Sequence, residues 1–250
     1  MRSRILVSAL AFALLVTMRP IAAQLPDPGM TERIREEGME RSRALDLYHT
    51  LTDVYGARLT GSPEYTAAAE WARERFAEWG LTDPRLEPFE FGRGWTLEKL
   101  SMEMTAPRYM PLIGYADAWS PSVDGVAQGR VVYVGDMTAA EIEAASPRLR
   151  GAIVFTHQPQ TEFRDEDRPQ PGMGEPVRTG NPPGIPSPST TPRSEMIELL
   201  NAAGAAVMVR PTYYRDGTVG GTGNRTTPDG ATPPIDLSAA QYNMIVRLAR

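Results

Sequence analysis

The chain has 250 residues, enough for one large domain or two modest ones with a real apolar core. Hydrophobic content of 41%, charged content of 23% and a net charge of −5 fit an ordinary globular protein and exclude the basic surface that nucleic-acid phosphates require. The absence of cysteine excludes a disulfide framework, a thiolate metal site, a thiol nucleophile and a lipid-modified N-terminal cysteine.

Residues 1–23 have the pattern of a secretory signal. Arg2 and Arg4 form the positive start, and the apolar run 5–16 is too short for a comfortable membrane span. Ile21-Ala22-Ala23 ends in small residues, so cleavage after Ala23 is expected, with export to the periplasm or the outside of a bacterial cell and no membrane attachment afterwards. After a Pro-containing lead-in, Thr31 is placed to cap a helix running to about Tyr55, with Leu45, Tyr48, Leu51 and Tyr55 on one stripe.

The chain is organised around the stretch 54–95. Gly61-Ser62-Pro63 is a turn into a helix over 66–79: Ser62 suits the N-cap, and Pro63 suits a first position whose N–H has no helical partner anyway. Tyr65, Ala68, Ala69, Ala72, Phe76 and Trp79 share one face, and Gly80 suits the left-handed residue that closes a helix. Alternation predicts strands at 85–91 and 99–105, the second with Leu100, Met102 and Met104 on one side. Pro107, Pro111, Trp119 and Pro121 punctuate an irregular connector.

From Asp124-Gly125 onward, strand, helix and loop alternate. Strands are predicted at 129–134, 149–155 and 204–209, and helices at 138–145 and 194–203. Thr138 with Glu141 has capping-box spacing, and Ser194 is the expected cap of the later helix. The stretch 158–192, proline-rich with the acidic run Asp165-Glu166-Asp167, is a long loop; 215–234 has the composition of a linker. A second capping box, Ser238 with Gln241, opens a helix whose stripe is Tyr242, Ile245, Val246 and Ala249. That helix has no Gly, Asn or Pro to end it before Arg250, which suggests a truncated reading frame.

Catalysis needs converging groups. The two histidines, His49 and His157, have no partners at ligand spacing, and there is no His-Glu-x-x-His, His-x-Asp, Gly-x-Ser-x-Gly or phosphate-loop motif. His157 follows a predicted strand, a common place for a functional residue, but on its own it is a polar strand end. The glycines of 217–223 suit a flexible linker, and the acidic run 165–167 suits a solvated face. No catalytic, cofactor-binding or metal residue is assigned.

Several blocks occur in order: Gly56-Ala-Arg-Leu-Thr-Gly-Ser-Pro-Glu-Tyr65, Ala69-Glu-Trp-Ala72, Trp79-Gly-Leu81, Glu87-Pro-Phe-Glu-Phe-Gly-Arg-Gly-Trp95 and Met104-Thr-Ala-Pro107. Together they resemble the start of exported co-catalytic di-zinc exopeptidases of metallopeptidase family twenty-eight, the carboxypeptidase Q-like members included. Residues 124–225 resemble the protease-associated (PA) domain that such enzymes carry as an insert. The resemblance implies an α/β fold, the incomplete N-terminal portion of a three-layer αβα exopeptidase domain with a PA insert. It divides the chain into a signal peptide at 1–23, a first part of the peptidase domain at 24–123, the insert at 124–225, and at 226–250 a linker and the start of a helix re-entering the peptidase domain.

The resemblance further implies two zinc ions and a peptide substrate for the full-length enzyme, with a zinc-bound water attacking the peptide carbonyl. The family's ligands begin with a His-x-Asp beyond this region, so none is carried onto His49, His157 or any other residue here. The expectation is an N-terminal fragment, inactive by itself, whose helices at 31–55, 65–79 and 239–250 expose apolar stripes. The alternative is an exported, non-catalytic PA-domain protein that binds peptides or proteins.

Overall fold

In the computed structural model, described for residues 27–161, 191–212 and 217–250, the chain divides into two units, Met1–Gly56 and Ala57–Arg250. In the first, helix α1 (Pro28–Glu40) begins three residues before the expected Thr31, because Asp27 accepts from the Gly29 amide and Pro28 fills the first turn. The expected continuous helix to Tyr55 is broken at 41–43, where Arg41 folds back onto Glu36 and Glu37. Helix α2 (Ala44–His49) then widens into a π-helical turn (Thr50–Val54). Of the expected stripe, Leu45 and Tyr48 stand exposed and Leu51 and Tyr55 are half-buried.

The second unit opens on the predicted turn and helix. Ser62 is buried and its Oγ accepts from the Tyr65 amide at 3.1 Å, Pro63 begins α3 (Pro63–Glu78), and Gly80 at φ +79° closes it with a Leu81 N–H bond to the Phe76 carbonyl. Only Ala68 of the apolar face is buried; Tyr65, Phe76 and Trp79 remain exposed. Residues 85–91 form no strand, since Pro84 and Pro88 leave too few N–H donors for a ladder. The second predicted strand shrinks to β1 (Glu103–Met104), paired antiparallel with β2 (Met110–Pro111).

The main sheet has five strands in the order β3-β7-β6-β5-β4, where β3 is Gly114–Ala116, β4 Val131–Tyr133, β5 Ile153–Phe155, β6 Val207–Pro211 and β7 Pro234–Leu237. Strands β4 to β7 are parallel and β3 joins the edge antiparallel. Alternation along the strands separates two cores. Val132, Val134, Val154 and Met208 meet Ile142, Leu149, Met196 and Leu200 from the helices α4 (Ala139–Ala144), α5 (Ser146–Leu149) and α6 (Arg193–Ala203). Phe155, Val207, Val209, Ile235 and Leu237 point the other way and meet Tyr242, Ile245 and Val246 of α7 (Ala239–Ala249). The fold is α/β, with helices on both faces of a mostly parallel sheet.

Three expectations are corrected here. The stripe of α7 is covered except at Ala249: Ile245 is buried and Tyr242 and Val246 are fully buried, each of these two contributing about 1.5–3 kcal/mol of apolar burial. The helix packs on β4 and β6 rather than leaving the sheet. The stretch 215–234 contains the start of β7, a strand hidden in the sequence by Pro233, Pro234 and Asp236. Strand β3, in turn, lies inside the supposed irregular connector. The sheet therefore runs from Gly114 to Leu237, across both expected ends of the 124–225 insert.

Besides Ser62, which caps α3 as expected, and Thr31, displaced by Asp27, three further caps are predicted. Thr138 and Glu141 form the full capping box of α4. Helix α6 starts from Pro192 rather than Ser194. Ser238 does not cap α7 with its side chain: its hydroxyl donates to Gln241 Oε1 at 3.1 Å, which also accepts from the Ile113 amide at 2.7 Å, while Gln241 Nε2 donates to the Pro111 carbonyl at 3.1 Å. That bond pair ties α7 to the β2–β3 connection.

Candidate functional site

The blocks at 56–65 and 87–95 come together. Gly61, at φ +82°, lies directly against Gly94, where a Cβ would collide with the Gly61 carbonyl. Thr96 donates to Glu64 Oε2 at 3.2 Å across the same contact; that carboxyl is held below its usual range first by its own backbone amide, with smaller help from Ser62 and Thr96. Residues 91–95 then clasp the sheet's loops. Trp119 Nε1 donates to the Arg93 carbonyl at 2.8 Å, Arg93 returns a bond to the Trp119 carbonyl, and Trp95 Nε1 donates to the Ser120 carbonyl at 3.0 Å. From the other side, Arg225 stacks on Phe91 and donates to its carbonyl, while Arg93 pairs with Asp229.

Open parallel sheets offer ligand positions at the carboxyl ends of their strands. Here that rim carries a polar knot. His157 is 6% exposed; its Nδ1 lies 2.8 Å from Thr156 Oγ1, and its backbone N–H and C=O both bond the Tyr242 hydroxyl. Gln160 exchanges two bonds with the Asn243 amide and donates to the Thr212 carbonyl, while its buried Oε1 has no partner among the described residues. At the end of β4, Tyr133 donates to Asp136, and Arg250 pairs with Asp136 and stacks on the Tyr133 ring. Burial first, and then the neighbouring Asp136 carboxylate, push the Tyr133 hydroxyl up to about 12.

These groups anchor strand ends to α7. They do not set a nucleophile beside a base and an oxyanion donor, which acyl transfer would require. His49 stands exposed on α2, 2.6 Å from Asp53, whose carboxyl that hydrogen bond holds below its usual range. The acidic run 165–167 lies outside the described residues. Among the described residues, no three His, Asp or Glu side chains come together as a metal site. The described residues by themselves bring no zinc-pair ligand set together, and no hydrolytic step is assigned to them.

Two features escaped the sequence reading. A cavity of about 360 Å³ opens near the start of β6 and β7, between Pro121, Asp124, Asn201, Ala205, Gly230 and Thr232. A buried ionic cluster centres on Arg210, 2% exposed, whose guanidinium donates to Asp236 Oδ1 at 3.0 Å and to both Asp117 oxygens at 2.8 and 2.7 Å. Its signal was present: an arginine closing the apolar run 205–209 and an aspartate inside Pro234-Ile235-Asp236-Leu237 are charges that need partners.

No family model matches the chain, and no curated protein matches it. Among solved structures, it is similar to a peptidase M28 precursor from Shewanella amazonensis SB2B, with a TM-score of 0.49 and 16% identity over 88% of this chain and 46% of that one. It is also similar to an aminopeptidase from Aneurinibacillus sp. strain AM-1 (TM-score 0.42, 16% identity, 85% of this chain and 42% of that one). A third likeness is to BSAP, a zinc aminopeptidase from Bacillus subtilis (TM-score 0.47, 11% identity, 82% and 40%). The chain spans less than half the length of each.

Proposed function

We propose that this chain is the N-terminal portion of an exported zinc-dependent exopeptidase related to metallopeptidase family twenty-eight, with a PA-like insert at 124–225. One observation carries the reading: five sequence blocks of that family occur in order between Gly56 and Pro107. The contact of Gly61 with Gly94 supports it, because two blocks separated along the chain share one turn. Under this reading the two zinc ions, their ligands and the general base belong to sequence beyond residue 250. The part described here supplies scaffold and a turn that frames the site. Export rests on the leader-like residues 1–23, and among the described residues no helix is long and apolar enough to cross a membrane.

The test is direct. Coding sequence downstream of codon 250 should contain a His-x-Asp, and the extended protein should release the terminal residue of short peptides in a chelator-sensitive way. The 250-residue chain alone should neither take up zinc nor cleave them. Clean downstream sequence with no such motif in any frame, or hydrolysis by the short chain, refutes the proposal.

A second reading is an exported, non-catalytic PA-domain binding protein. It is favoured by the completeness of the sheet unit, whose helices cover both faces. Cooperative melting of residues 24–250 as a monomer, with peptide binding and no zinc uptake, favours it over the first.

A further inference from the structure

Among the described residues, the cluster around Arg210 sets one guanidinium against two carboxylates, Asp117 and Asp236. Arg210 of β6 sits directly across the ladder from Asp236 of β7, and Asp117 adjoins the end of β3. All three are buried, and three desolvated charges are a poor source of stability in themselves. Thr222 braces Asp117: its N–H and Oγ1 both donate to Asp117 Oδ1, at 3.2 and 2.8 Å. Thr222 belongs to a segment, 221–224, laid along the end of β3. The Ala118 N–H donates to the Thr222 carbonyl at 2.7 Å, and Ala118 bridges Gly223 in parallel register. Gly221 and Gly223 permit this approach: a Cβ on the first would stand 2.8 Å from the Ala116 carbonyl, and on the second 2.7 Å from the Ala118 Cβ. This glycine run is a seated strip, not the flexible linker expected.

Immediately beyond the strip come Arg225 and Asp229, which hold Phe91 and Arg93. Immediately beyond Asp117 come Trp119 and Ser120, which hold Arg93 and Trp95. Both halves of the clasp on 91–95 therefore spring from one junction, where Thr222 bonds the Asp117 carboxylate and the strip pairs with the Ala118 backbone. We infer that the Asp117–Arg210–Asp236 cluster, closed by Thr222, is an internal latch that couples the sheet to the 91–95 segment: releasing the strip loosens the clasp. The latch is a conformational device of this chain and does not depend on the peptidase reading.

The indole protons of Trp95 and Trp119 report the clasp directly, since each is hydrogen-bonded to a carbonyl across it. Hydrogen exchange on the uniformly ¹⁵N-labelled 250-residue chain is measured in Thr222→Val, Thr222→Ser and Gly223→Ala. Loss of hydroxyl bonds to a charged partner should speed exchange at both indoles about tenfold to a hundredfold in Thr222→Val. Gly223→Ala should do the same by forcing the strip off Ala118, and Thr222→Ser should stay near the parent rate. The amides of Val154 and Val209 should keep their protection in all three. Unchanged indole exchange in Thr222→Val and Gly223→Ala overturns the inference, as does equal acceleration of the Val154 and Val209 amides, which would mean a general loss of stability.

Discussion

Tyr242→Phe removes one oxygen from the interior and leaves the ring in place. The Tyr242 side chain is fully buried, and its ring stacks on Phe155 with centroids 4.8 Å apart, a contact that phenylalanine keeps. What disappears is the hydroxyl that accepts from the His157 N–H at 2.8 Å and donates to the His157 carbonyl at 2.6 Å. Burial keeps solvent from replacing it, so two backbone groups lose a partner. Each such group costs about 1–3 kcal/mol, partly offset by the hydroxyl no longer being buried, giving a net loss of about 2–4 kcal/mol. For a unit of this size the melting temperature should fall by about 5–15 °C. Urea unfolding monitored by far-ultraviolet circular dichroism measures it: the midpoint should drop while the slope stays constant. A stability within about 0.5 kcal/mol of the parent would refute the reasoning, because surface-level substitutions also fall in that range.

Arg210→Ala should destabilise the sheet by about 3–5 kcal/mol, since it removes the guanidinium paired with the buried carboxylates of Asp117 and Asp236; chemical unfolding checks it, and the loss should shrink when both aspartates are also replaced by asparagine. Gly94→Ala should cost about 1–3 kcal/mol and weaken the near-ultraviolet dichroism of Trp95, because the new Cβ must push the Gly61 backbone away. Tyr133 should ionise near pH 12 rather than about 10 in a spectrophotometric titration. Its folded value is raised, so its contribution to stability is whole below about pH 10 and is lost as pH climbs toward 12. Asp136→Asn should lower the Tyr133 value without restoring it, as burial is the larger cause.

Local chemistry was legible in the sequence where neighbours within a few residues decide the outcome. Ser62-Pro63 starts α3 and Gly80 ends it, Thr138 and Glu141 close a capping box, and the apolar runs of β4, β5 and β6 fall inside the predicted strands or within two residues of their ends. Such features depend on φ preferences, missing donors and side chains reaching back one turn. Partnership across the chain was not legible. Strand β7 begins with proline and carries an aspartate, and pairing with both β6 and β3, with a salt bridge to Arg210, makes it a strand. The glycines 221 and 223 suit a linker until Ala116 and Ala118 are found lying against them. The Tyr242 hydroxyl is one group on an amphipathic stripe, and its role depends on His157, 85 residues away. Residue order determines which backbone conformations are accessible and which faces are apolar. Which buried charge and which buried carbonyl find a partner is decided only when distant segments are brought within about 3 Å, and here that step builds both the latch and the clasp.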